Sequence, residues 1–209
     1  EHGSREIVTH WADGSETRTD WAGIRHDALR MTQALRKLGV TTGDRIATLS
    51  MNHSRHLVSW YGAVGVGGVL HTINPRLFDD QLEYIANHAE DQVLCFDMSF
   101  LPLVQAVHSK CSTIRHYVAL CDADKLPADT GIPGLISYEA WIGRQANTYQ
   151  WPVFDENSAS SMCYTSGTTG NPKAALYSHR STTLHAYAAA LPDVMSLSAR
   201  DAVLPVVPM

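Results

Sequence analysis

The sequence predicts an α/β protein built on a layered, mostly parallel sheet with flanking helices. Three observations predict it. Apolar strand-like runs alternate with helix-periodic runs from Arg45 to Leu120, the alternation that gives parallel sheets with right-handed crossovers. A long, cleanly bounded helical stripe precedes them. Two short apolar runs, Ser161–Tyr164 and Ala174–Tyr177, flank a polar glycine-rich stretch, which reads as strand, loop and strand.

In chain order, Glu6–His10 and Glu16–Arg18 flank Asp13-Gly14, a hairpin turn. Trp21, Ile24, Ala28, Met31, Leu35 and Leu38 then recur at three- and four-residue steps and form one apolar stripe. Asp20 is the N-cap of that helix, worth about 1 kcal/mol, and Gly39 is its stop. Arg45–Ser50 reads as a short buried strand. His56–Leu70 is apolar and carries Gly62, Gly65, Gly67 and Gly68. It is too short and too interrupted for a membrane span, and Leu70 stands where a dinucleotide fingerprint needs glycine. A helix lying close on a sheet is the expectation, followed by strand Val69–Ile73.

Asp79–Ala89 is helical, then strand Gln92–Asp97, helix Phe100–Ser109 and strand Ile114–Leu120. Asp122–Gly134 and Gly143–Ser158 are loops around a short helical turn at Ser137–Ile142. Arg180 to about Met195 is helical, and Val203–Val207 reads as another strand.

Composition describes an ordinary soluble globular chain of 209 residues, 44% hydrophobic, with a formal charge of −5. That mild acidity gives no reason to expect nucleic acid or an anionic membrane as partner. Cys95, Cys111, Cys121 and Cys163 show no C-x-x-C spacing, which fits reduced, mostly buried thiols in a cytosolic protein. Eleven histidines raise a metal hypothesis, but His53 and His56 have no nearby Cys, Asp or Glu to complete a zinc set. Trp60 and Tyr61 read as core. There is no initiator Met or targeting segment, and the C-terminus is apolar, so both ends read as cut.

The chemistry lies in Tyr164-Thr165-Ser166-Gly167-Thr168-Thr169-Gly170-Asn171-Pro172-Lys173. Glycines let the backbone approach a ligand, while hydroxyls and consecutive N–H groups can wrap an anion. Pro172 holds the exit and Lys173 adds a compact positive charge. Together they suit a polyphosphate. The string is neither a Walker A loop nor G-x-S-x-G, so Ser166 is a poor hydrolase nucleophile. A glycine-rich surface turn is the bland alternative.

This ten-residue string, with Ser178-His179-Arg180 after it, resembles the phosphate-loop motif of the adenylate-forming superfamily. Gly43–Ala47, His71–Leu77 and Asn87–Asp91 are similar to segments of medium- and long-chain fatty acid–CoA ligases. The resemblance implies ATP-dependent joining of a carboxylic acid, such as a fatty acid, to AMP, followed by transfer to coenzyme A. It assigns Thr165, Ser166, Gly167, Thr168, Thr169, Gly170 and Lys173 to phosphate binding, Lys173 to catalysis, and Thr165 to a place beside Mg²⁺. His179 closes the motif in a structural or a catalytic role. Relatives typically carry glycine at the position of Ala174, which is expected to be extended and to crowd the loop.

Residues 1–209 are expected to be part of an N-terminal domain and inactive alone. The adenine and ribose sites, the acidic magnesium ligand and the lid domain with its lysine would lie beyond Met209. A homodimer is compatible with this picture. An aryl or amino acid adenylating enzyme would share the loop, and a noncatalytic nucleotide-binding or assembly module is the reading from another class.

Overall fold

The computed structural model describes residues 2–146, 148–165 and 171–207. A two-stranded antiparallel hairpin, β1 (Glu6–His10) and β2 (Glu16–Asp20), turns through Gly14 at φ +83°. It leads into α1 (Trp21–Lys37). The Asp20 side chain accepts from the Gly23 N–H, and Gly39 at φ +89° follows the last turn, so both ends stand where local chemistry puts them. Trp21 departs from the expected stripe. It lies at the first helical position, 40% exposed, edge-on to Tyr61.

The main sheet has seven strands among the described residues, in the order β7-β6-β5-β3-β4-β8-β9. Its members are β3 (Arg45–Leu49), β4 (Val69–Thr72), β5 (Asp91–Phe96), β6 (His116–Ala119), β7 (Ile136–Ser137), β8 (Ala159–Thr165) and β9 (Lys173–Ser178). All neighbours pair in parallel except β8 and β9, which form an antiparallel hairpin at the edge. The helices are α2 (Ser54–Gly65), α3 (Asp79–His88), α4 (Leu101–Val107), α5 (Tyr138–Gly143) and α6 (His179–Ala190). Ile46, Leu70, Val93, Cys95 and Val118 pack with α1, α2 and α5 on one face. Ala47, Leu49, Leu94, Phe96 and Ala119 pack with α3 and α4 on the other. The expected layered α/β architecture is therefore present, and among the described residues no helix is long and apolar enough to cross a membrane.

Two elements differ from expectation. The last helix stops at Ala190, five residues short of Met195, because Pro192 follows Leu191. The residue before a proline is driven out of the helical region, and Leu191 has φ −59° and ψ 149°. Val203–Val207 is not a strand: it is largely exposed and has no strand beside it among the described residues. The carbonyls of Pro205 and Val207 instead accept from the Asn52 side-chain amide.

Of the glycines in and after α2, Gly68 lies close on the sheet as expected, a methyl there standing 2.5 Å from Ile46 Cδ1, whereas Gly62 meets a helix. Gly62 faces α1, and a methyl there would stand 2.8 Å from Met31 Cγ and 2.9 Å from its Cβ. The Thr32 hydroxyl donates to the Gly62 carbonyl at 2.9 Å, tightening the same contact. Gly62→Ala is expected to destabilise the protein by about 1–3 kcal/mol through overpacking, read as a lower urea midpoint. An unchanged midpoint would mean that α1 yields without cost.

Candidate functional site

The described ends of the glycine-rich motif, Tyr164–Thr165 and Lys173, lie on the β8–β9 hairpin. β8 runs parallel to β4, so it delivers its C-terminal residue, Thr165, to the carboxyl edge of the parallel sheet, where ligands of open α/β sheets bind. Lys173 opens β9 directly opposite Thr165, and facing residues of an antiparallel pair share a side of the sheet. The Thr165 hydroxyl donates to the Lys173 carbonyl at 3.3 Å. Both residues are exposed, and Lys173 makes no ion pair among the described residues. An uncompensated cation beside a hydroxyl whose lone pairs remain available fits a polyphosphate, and Thr165 could stand next to a divalent ion. The other assigned residues, Ser166, Gly167, Thr168, Thr169 and Gly170, lie outside the described residues.

Ala174 is an interior residue of β9, in register with Tyr164. The non-glycine residues at positive φ among those described are Glu90 and Ser196, so the extended conformation expected for Ala174 is found. Its side chain is exposed, and the described residues do not crowd it.

Beneath the hairpin lies a polar cluster that local sequence does not disclose. His71 and Asp91 are fully buried, with Nδ1 2.8 and 3.0 Å from the two carboxylate oxygens. Burial pushes the Asp91 carboxyl up, opposed by His71 and Arg45. His71 Nε2 has no hydrogen-bond partner among the described residues. The Tyr164 ring lies 5.2 Å from that of His71, and its hydroxyl is 2.6 Å from His88 Nδ1. Burial, then Asp91 and Tyr84, push the Tyr164 phenol up to about 12. The segments His71–Leu77 and Asn87–Asp91, noted for their resemblance, thus meet around Tyr164.

A second cluster fills the topological switch point. The connection leaving β3 runs toward β4 and the one leaving β5 runs the other way, which opens a crevice between these two strand ends. Ser50 and Asp97 follow those strands. Asp97 lies 2.8 Å from His53 Nε2 and accepts from the Ser50 hydroxyl and the Met51 N–H. The Ser50 hydroxyl is itself 3.0 Å from the same Nε2. A serine nucleophile needs its base on one imidazole nitrogen and the orienting carboxylate on the other. Here both share Nε2, while Nδ1 accepts from the His56 N–H and caps α2. The cluster is scaffold, and it occupies the crevice with the chain's own groups.

The remaining candidates resolve simply. His179 is the first residue of α6; it packs 4.6 Å from the Phe154 ring, and its buried Nε2 has no hydrogen bond among the described residues. Burial lowers its pKa. Trp60 packs against the core as expected, whereas Tyr61 is 39% exposed. The four cysteines are free thiols, three of them buried and Cys163 half-buried, and burial pushes Cys95 up to about 12 and Cys111 up to about 11. At those values the two thiols stay protonated and poorly nucleophilic.

A family model described as AMP-binding enzyme matches residues 1–209. The 3-methylmercaptopropionyl-CoA ligase of Ruegeria lacuscaerulensis is 53% identical over 208 residues, and the medium-chain-fatty-acid–CoA ligase of Ectopseudomonas oleovorans is 49% identical over 208. Each match takes in 100% of this chain and 38% of the relative, so the chain spans well under half the length of these curated relatives. Among solved structures, an anthranilate CoA ligase in complex with anthranoyl-AMP superposes with a TM-score of 0.79 at 25% identity, over 89% of this chain and 34% of that one. An acyl-CoA synthetase of Brucella canis shares the fold, with a TM-score of 0.73 at 16% identity over 89% of this chain and 32% of that one.

Proposed function

This chain belongs to the AMP-binding enzyme family, within the adenylate-forming superfamily, and from that membership we propose that the full-length protein is an AMP-forming acyl-CoA ligase. Its substrates are a carboxylic acid, here a fatty acid, with ATP and coenzyme A. Residues 1–209 form part of its N-terminal domain, and the protein works in the cytoplasm. The observation that carries the reading is the hairpin that presents Thr165 and Lys173, the lysine without an ion pair among the described residues, at the carboxyl edge of the sheet.

A carboxylate is a poor acyl donor because its oxygen leaves badly and its charge repels nucleophiles. Joining it to the α-phosphate of ATP makes AMP the leaving group, and the thiolate of coenzyme A then attacks the acyl carbon to give a thioester. Charge builds on the departing pyrophosphate in the first step. Lys173 offsets it with its ammonium, while the hydroxyls and N–H groups of Thr165, Ser166, Gly167, Thr168, Thr169 and Gly170 hold the phosphates in place. Thr165 would stand beside Mg²⁺ bound with ATP, which would supply further charge neutralisation.

The test is acid-dependent ATP–pyrophosphate exchange by the full-length protein. The panel includes medium- and long-chain fatty acids, 3-methylmercaptopropionate, an aryl acid and amino acids. Exchange with fatty acids, followed by thioester formation with coenzyme A, is expected. Exchange confined to aryl or amino acids would overturn the substrate class, and exchange with no acid would overturn the activity.

A further inference from the structure

We propose that Tyr164 and His88 act as a positioning pair, tying the end of β8 to α3 so that Thr165 and Lys173 are held in place for phosphate. The inference rests on the phosphate-binding reading of those two residues and deepens it. The need for a tether follows from the register. β8 is paired with β4 only as far as Cys163, opposite Thr72. Tyr164 and Thr165 extend beyond that point and bond only to β9, opposite Ala174 and Lys173. Among the described residues β9 is itself the edge of the sheet. The ladder alone therefore leaves both phosphate-facing residues on a two-stranded projection, and isolated two-stranded ribbons are marginally stable.

Tyr164 supplies what the ladder lacks. Its hydroxyl reaches His88 Nδ1 at 2.6 Å, in the last turn of α3. That helix is anchored on the sheet through buried Leu82, Ile85 and Ala86, so His88 is a fixed point. The His88 ring is further stacked on Tyr84 at 5.3 Å. On the inner side, the Tyr164 ring rests against His71, whose orientation is set by the two short contacts to buried Asp91. Tyr164 is thus held from both sides, one residue before Thr165. Neither member touches the phosphates; the pair acts through the backbone of β8.

The experiment uses the full-length protein and compares Tyr164→Phe, His88→Ala, their double variant and His88→Asn. Asparagine places an amide oxygen where His88 Nδ1 stands and can still accept from the phenol. Tyr164→Phe and His88→Ala are each expected to raise KM for ATP by about two- to tenfold, the range for one neutral hydrogen bond. Thioester formation from preformed acyl adenylate should be unchanged. The double variant should be no worse than either single one, and His88→Asn should recover most of the loss. Amide hydrogen exchange at Thr165 and Lys173–Ala175 should quicken in Tyr164→Phe, with the global unfolding midpoint unmoved.

Additive losses, no rescue by asparagine, or a lowered midpoint with unchanged KM would reduce the pair to packing and overturn the proposal. Wild-type protein that binds ATP as tightly as every variant overturns the positioning role alone. Wild-type protein that binds no ATP overturns it together with the phosphate-site reading.

Discussion

Lys173→Ala in the full-length protein is expected to lower kcat/KM for ATP in the adenylation step by about 10²–10³-fold, the scale for losing one preorganised charge-stabilising group. Folding stability should move by less than about 0.5 kcal/mol. The asymmetry follows from where the residue sits. Lys173 is exposed, makes no ion pair among the described residues and fills no cavity, so truncation opens nothing in the core. Its backbone pairs with Thr165 in the β8–β9 ladder and its carbonyl accepts from the Thr165 hydroxyl, contacts that survive the substitution. The ammonium is what disappears, and on the proposed function it is the group that offsets charge on the departing pyrophosphate. Pyrophosphate release and urea unfolding on the same preparation separate the two effects. A loss of several kcal/mol in stability, with kcat/KM for ATP unaltered, would make Lys173 part of the scaffold.

Acid is expected to weaken the fold through His56, by about 3 kcal/mol between pH 6.5 and about 4. Burial first, and then the neighbouring His53, press its pKa from 6.5 down to about 4. The neutral ring is well served: Nδ1–H donates to the Met51 carbonyl at 3.2 Å and Nε2 accepts from the Thr48 hydroxyl at 3.0 Å. As pH falls through that window the unfolded chain takes up a proton that the folded ring resists, so the equilibrium moves toward unfolding. Asp91 works in the opposite sense. Its folded pKa is raised, so its contribution is largest in acid and fades as pH rises through that value. Urea unfolding at several pH values, for wild type and His56→Gln, checks the assignment. The variant should be less stable at pH 7 yet lose less on acidification. An identical pH slope in the two proteins would remove His56 as the cause.

Much of the framework was legible in the sequence because it rests on local rules. Asp20 and Gly39 bound α1 through capping and backbone handedness, effects confined to a few residues. The hairpin at Gly14 and the alternation of strands with helices are also patterns of neighbouring residues. The phosphate motif could be read as a motif because its chemistry is contiguous. Pro192 ends the last helix by the same kind of local rule, by driving Leu191 out of the helical region.

Tertiary structure alone decided which distant residues meet. Nothing near His53 in sequence announces Asp97, and nothing near Tyr164 announces His88. His53 meets Asp97 because the parallel strands β3 and β5 end side by side, whereas Tyr164 on β8 reaches His88 because α3 packs on the face of the same sheet. Gly62 illustrates the same limit. The sequence predicts that the glycine-rich run lies close on a sheet, as Gly68 does against Ile46, but only the packing shows that the neighbour of Gly62 is Met31 of α1. Val203–Val207 has the composition of a strand but has no strand beside it among the described residues, and a strand is completed by hydrogen bonds to a partner. Caps and periodicity are settled within a turn or two of the chain. Strand order, buried polar pairs and the placement of Thr165 and Lys173 depend on contacts across the whole sheet, where the energy belongs to the meeting of two segments and to neither one by itself.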